Sequence, residues 1–315
     1  MGKRSRLKNK PAADAAPHEV GPRQPCPCGS GRRYKACHGD PSGPPQVYVG
    51  RPFEGLPNEC DVIALREIVP AATAPLTLAD GVQTERSVVL CSLLPMAAPA
   101  LVRQDGSVWL GLQVQHGFGD PSRDLAAVLA KALEAEPGTV VGLTDPPGEG
   151  PRLQDLVAGH PLEITVHDGF DFWIGDVDDP TGAMSAALES ANAAAMPTAR
   201  LRSVEAAYWT NVGSKEHLRW VMPYDEEALL SALARLHAAG KDTIAEQSRL
   251  VGMFRAHGRL VPVWDLPVGT GAEVLESPAA RFMSDLEEAL ADDAPLTAGE
   301  RSARSGLANR QLTIR

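Results

Sequence analysis

Three of the chain's five cysteines, Cys26, Cys28 and Cys37, stand with His38 inside the thirteen residues CPCGSGRRYKACH. No other feature restricts this chain's folding so tightly. A segment this short has no apolar core, so its order has to come from something these side chains bind. The spacing C-x-C-x8-C-H offers three thiolates and an imidazole. Zinc takes such a set in closed tetrahedral sites, with Zn–S of about 2.3 Å and Zn–N of about 2.0–2.1 Å. Gly29 and Gly31 let the chain turn tightly behind the first two cysteines, and amides there can donate to metal-bound sulfur. RRYKAC is long enough for a helical turn that returns Cys37. Successive helical residues diverge by about 100°, so the chain must leave the helix for His38 to ligate, and Gly39 permits that. Four protein ligands leave no open position, so such a zinc is structural, with binding energy on the order of 10 kcal/mol to fold the loop.

CPCGSGRRYKACHG resembles the SEC-C motif, the small zinc module at the C-terminal end of the SecA translocation ATPase and on many unrelated bacterial proteins. The resemblance implies Cys26, Cys28, Cys37 and His38 as ligands of one Zn2+. Arg32, Arg33 and Lys35 fall where that family has its basic residues. It also implies an anionic partner: an acidic chaperone of the SecB kind, the ribosome, or phospholipid headgroups. The match covers residues 24–39 and does not extend to a SecA motor. The nearest approach to a phosphate-binding loop, AAGKDT, has Asp242 where the hydroxyl belongs and lacks the upstream glycine, so no nucleotide is predicted. A redox thiol pair would want C-x-x-C at a strand–helix junction, which this cluster does not supply.

Charge divides in the same place. Residues 1–39 hold nine Lys and Arg against two Asp and Glu, a net of +7, which leaves −17 for the rest of a chain whose total is −10. A basic arm on an acidic body points the arm, not the body, at anionic surfaces. The start MGKRSRLKNKPAADAAP has no apolar segment after its basic residues, and no apolar run reaches the roughly 18 residues of a membrane span. The expectation is a cytoplasmic protein in which Cys60 and Cys91 are buried free thiols.

The chain reads as a disordered basic arm (1–24), the zinc module (25–40), a Pro-rich linker (41–57) and an α+β body (58–310). The body reads as two related lobes, 58–178 and 179–310, of antiparallel hairpins packed with helices. Asn58 is expected to cap a short helix through Leu65. RSVVLCSLL and SVWLGLQVQ read as strands, with a hairpin turn at RQDGS. Asp120-Pro121 opens a helix with the apolar stripe Leu125, Val128, Leu129, Ala132, Leu133. LEITVHDGFDFWI reads as strand, turn and strand, and Asp179-Pro180 as the start of a helix through Ala195. VEAAYWTN and EHLRWVMP form a second hairpin, and Asp225 caps a helix ending at Gly240. IAEQSRLVGMFRAHG is predicted helical, RLVPVWDLP a strand, and the tail after Pro295 frayed. Trp109, Trp173, Trp209, Trp220 and Trp264 read as core.

Two weaker constellations remain. HDGFDFWIGDVDDP gathers His167, Asp168, Asp171, Asp176, Asp178 and Asp179, but Thr181 and Ala187 stand where an EF-hand needs glycine and the closing Glu. It reads as turn and cap residues. QHGFGDPSRD has the outline of a phosphate-binding turn, yet ordinary capping accounts for it. His116 and His160 read as surface or turn residues. The favoured function is a zinc-binding adaptor. The competing one is an enzyme with an accessory zinc module and a site near residues 167–179.

Overall fold

The computed structural model describes residues 48–174 and 183–310, with Arg23, Arg33 and Lys35 placed singly. The chain divides into two compact units, Met1–Val47 and Tyr48–Arg315, and the architecture below is that of the second. Among the described residues it is an α+β body with two sheets and seven helices.

A helix buried on every side organises it. In α1 (Glu59–Glu67), all of Cys60, Asp61, Val62, Ile63, Ala64 and Leu65 are buried. A helix buried at six successive positions faces the interior all round, and α1 shares one core with strands of both sheets. Phe53 and Leu56, in the stretch read as linker, are buried in that core too. Asn58 precedes the helix in left-handed backbone (φ 52°, ψ 42°) and does not cap it; its Oδ1 accepts the Leu162 amide at 2.8 Å. Cys60 and Cys91 are buried free thiols, as expected, and burial pushes the Cys60 thiol up to about 12.

The first sheet comprises β1 (Ala72–Leu76), β2 (Val88–Cys91), β3 (Ala100–Val102), β4 (Val108–Gly111), β5 (Val140–Val141) and β6 (Thr165–Val166), in the order β5-β3-β4-β2-β1-β6. The β3–β4 hairpin forms around Asp105, whose Oδ1 accepts the Ser107 amide at 2.9 Å. β2 and β4 pair in parallel, Val88 opposite Val108. A reading in hairpins does not contain that pairing. The loop through Pro95 and Pro99 carries the chain past β4, so β3 returns on its far side. α2 (Pro121–Glu134) covers this sheet with Leu125, Val128, Leu129 and Ala132. Asp120 caps it, accepting the Arg123 amide, and is held in turn by Arg152 through Nε (2.9 Å) and Nη2 (2.8 Å). The short α3 (Leu153–Leu156) follows.

After β6 the expected second strand is a 3-10 turn, Asp171–Trp173. A strand would send successive side chains to opposite faces. Here Phe170, Phe172 and Trp173 cluster, with ring centroids 4.4–6.3 Å apart. α4 (Ala183–Ala194) packs Leu188 against them.

The second sheet, β7 (Thr198–Arg200), β8 (Ala207–Asn211), β9 (Glu216–Trp220), β10 (Arg249–Ala256) and β11 (Arg259–Leu266), is antiparallel in the order β10-β11-β9-β8-β7. β10 lies in the stretch predicted helical. Leu250, Met253 and Phe254 suit either period. The hairpin decides it, because His257 and Gly258 take φ of 48° and 80°, the turn that matches strand twist. With a strand there, the second half does not repeat the element order of the first. One face of this sheet joins the α1 core through Tyr208, Val221, Val261 and Val263. The other packs on α5 (Glu226–Ala238), α6 (Glu276–Ala291) and α7 (Ala298–Asn309). Trp220 and Trp264 are fully buried against Phe282, whereas Trp109, Trp173 and Trp209 are half-buried. α7 occupies the tail expected to fray. A Thr297–Glu300 capping box starts it and Leu307 buries it.

Candidate functional site

The residues singled out from the sequence fall in three places. In the N-terminal cluster, Cys26, Cys28, Arg32, Cys37 and His38 lie outside the described residues, while Arg33 and Lys35 are exposed. Three thiols and an imidazole within thirteen residues of sequence are a donor set that suits zinc.

In the second place, Asp176, Asp178 and Asp179 lie outside the described residues, and the rest of the group does not converge. The His167 ring lies 4.6 Å from that of Phe172, with Nε2 2.8 Å from Thr73 Oγ1, and burial lowers its pKa. Asp168 and Asp171 are exposed; Asp171 accepts from Asn192 Nδ2 at 3.4 Å. The neighbouring aromatics close over the first sheet. Trp173 donates its indole N–H to Leu93 O at 3.0 Å, and the Arg103 guanidinium lies 4.6 Å over the Trp109 ring. Among the described residues no group of three His, Cys, Asp or Glu could hold a metal ion.

The third place is the turn QHGFGDP between β4 and α2. The amides of such a turn can seat an anion, but here a side chain has taken the position. Asp124 Oδ2 accepts the Phe118 amide at 2.8 Å, and a side chain at Gly117 would crowd that same oxygen at 3.3 Å. Asp124 is 8% exposed, and burial pushes its carboxyl above the ordinary range. Arg66, from the end of α1, lines the same cavity and donates Nη1 to Leu112 O. Burial lowers its pKa. Asp124 Oδ1 and Arg66 Nε are both buried without a hydrogen-bond partner. Sequence reasoning passed over both residues. The available signal was an arginine directly after the buried run Val62–Leu65 and an acid five residues past Gly119.

Comparison with known proteins bears on the body directly. A model of the family of unknown function DUF5926 matches residues 52–315. The chain belongs to that family. Ahead of the DUF5926 region, a model of the SEC-C motif matches residues 23–40. The N-terminal cluster is therefore a SEC-C motif on a DUF5926 body. No curated protein and no solved structure matches the chain. Among the described residues of this DUF5926 member, no helix is long and apolar enough to cross a membrane.

Proposed function

We propose that this protein is a zinc-binding adaptor. Cys26, Cys28, Cys37 and His38 hold one structural zinc, and the loop so folded presents Arg32, Arg33 and Lys35 to an anionic partner. The SEC-C match at residues 23–40 carries this reading. Zinc, when bound, supplies the cross-link that a segment without a core needs. The chain's own residues do the rest: Gly29 and Gly31 turn the backbone, and the three basic side chains meet the partner. The net +7 of residues 1–39 against −17 for the remainder supports docking through the arm. The acidic DUF5926 body would be what the arm delivers.

Metal analysis of the full chain tests the first half. About one zinc per chain is expected, falling to background in Cys26→Ser and Cys37→Ser. Co-sedimentation with anionic vesicles, with ribosomes and with an acidic chaperone tests the second half and separates the partners. Binding in one arm should weaken with salt and drop roughly tenfold when Arg32, Arg33 and Lys35 become Glu. A zinc-free chain, or binding indifferent to both salt and these changes, sinks the proposal.

A further inference from the structure

We propose that the cavity between Arg66 and Asp124 is a binding site for a small molecule whose head group both donates and accepts a hydrogen bond: a primary carboxamide or a hydroxyl. It lies past the carboxyl end of β4, where the chain leaves the sheet for α2.

The two orphaned atoms define the head group. Asp124 Oδ1 is an acceptor awaiting a donor, and Arg66 Nε–H is a donor awaiting an acceptor. Glu67 Oε1 stands 3.6 Å from Arg66 Nε, beyond hydrogen-bond reach. Buried polar atoms are almost always satisfied, so this pair is an exception that needs an occupant. An anion would be repelled by Asp124 and a cation by Arg66. A neutral group that carries both a donor and an acceptor serves both. The cavity is about 20 Å³, room for one water-sized head group. Its walls, Pro99, Val114, Leu125 and Leu143, are apolar and suit a hydrocarbon stem. His116, exposed, stands on the lining as well.

The test uses full-length, ¹⁵N-labelled protein. Acetamide, ethanol, N,N-dimethylacetamide and acetate are titrated separately, reading the Phe118 amide and the Arg66 Nε–H resonance. Acetamide or ethanol should shift both signals saturably, with a dissociation constant on the order of 1 mM, the range open to so few atoms. The two arms tell a carboxamide site from a hydroxyl site. Dimethylacetamide, which has no N–H, should bind at least roughly tenfold more weakly. Asp124→Asn exchanges acceptor for donor at that point, so its preference should turn from acetamide to acetate. The wild-type comparison stands without the variant, should the variant not fold. Shifts that never saturate, or an equal response to the dimethylated amide, assign the space to an internal water and overturn the site.

Discussion

Asp61, on the buried helix, takes two hydrogen bonds from Arg200 of the second sheet, Nε to Oδ1 and Nη2 to Oδ2, each at 2.9 Å. The Tyr208 hydroxyl donates to Oδ1 at 2.6 Å. Asp61 is 1% exposed, so its charge is compensated inside the protein by these partners and by Asn58, whose Nδ2 donates to Oδ2 at 3.3 Å. Removing one partner of a buried pair costs more than the pair contributes, because the other is left uncompensated. Asp61→Asn should therefore lower stability by about 3 kcal/mol in urea unfolding. Tyr208→Phe, which keeps the ion pair, should cost about 1.5–2 kcal/mol. Equal losses would mean that the hydroxyl, not the charge, holds α1 to the sheet.

Glu216 should make the body acid-sensitive. Its carboxylate accepts the amides of Gly269 (2.6 Å) and Gly271 (2.9 Å) and the Trp209 indole N–H (2.7 Å). Burial alone would raise its pKa, but these donors outweigh it and hold the carboxyl below the ordinary 4.5. The stabilisation is thus complete above 4.5 and is lost as pH falls through the lower folded value. Glu216→Gln should cost about 1.5–3 kcal/mol at pH 7. Its urea midpoint should approach that of wild type in acid.

Asp124 acts in the opposite sense. Burial, with help from Asp120, outweighs the Phe118 amide, Arg66 and Arg123 and raises its folded pKa above the ordinary 3.8. A group raised on folding favours the folded state when protonated, and that advantage is lost as pH rises through the folded value. Asp124→Asn imitates the protonated form while keeping an acceptor for Phe118. It should be more stable than wild type at pH 7, with the gap closing as pH approaches 3.8. A variant less stable at every pH would show that the carboxylate contributes more than its burial costs.

Gly111 ends β4 where the chain passes under the Pro95–Pro99 loop. A Cβ there would lie 2.5 Å from Ala98 O and 3.3 Å from Leu94 Cδ1. The obstruction at Ala98 is backbone and cannot swing aside. Gly111→Ala should cost about 1–3 kcal/mol, read as a lower thermal midpoint. Gly106→Ala, also on this hairpin, meets nothing within 4 Å but sits at φ 84°, so its cost is conformational alone, about 1 kcal/mol.

Elements with local signals were legible. Asp120-Pro121 and Asp225 mark the starts of α2 and α5, because an N-cap needs only its own next three amides. The β8–β9 hairpin shows in alternation. β10 was not legible: its apolar spacing serves two periods, and the left-handed His257-Gly258 turn that selects one is a backbone state, not a composition. α7 was missed although TAGE is a capping box, since its interior is polar and its stability comes from packing on α5.

The sequence by itself determined the SEC-C cluster, the α+β class and the starts of α2 and α5, because each follows from neighbours within a few residues. Tertiary structure decided the parallel pairing of β2 with β4, the union of Asp61 with Arg200, and the meeting of Arg66 with Asp124. These partners lie far apart along the chain, and nothing local distinguishes a carboxylate that will face water from one that will face a guanidinium. Only the closing of the core around α1 removes the water and leaves Asp61 with a partner and Asp124 Oδ1 without one.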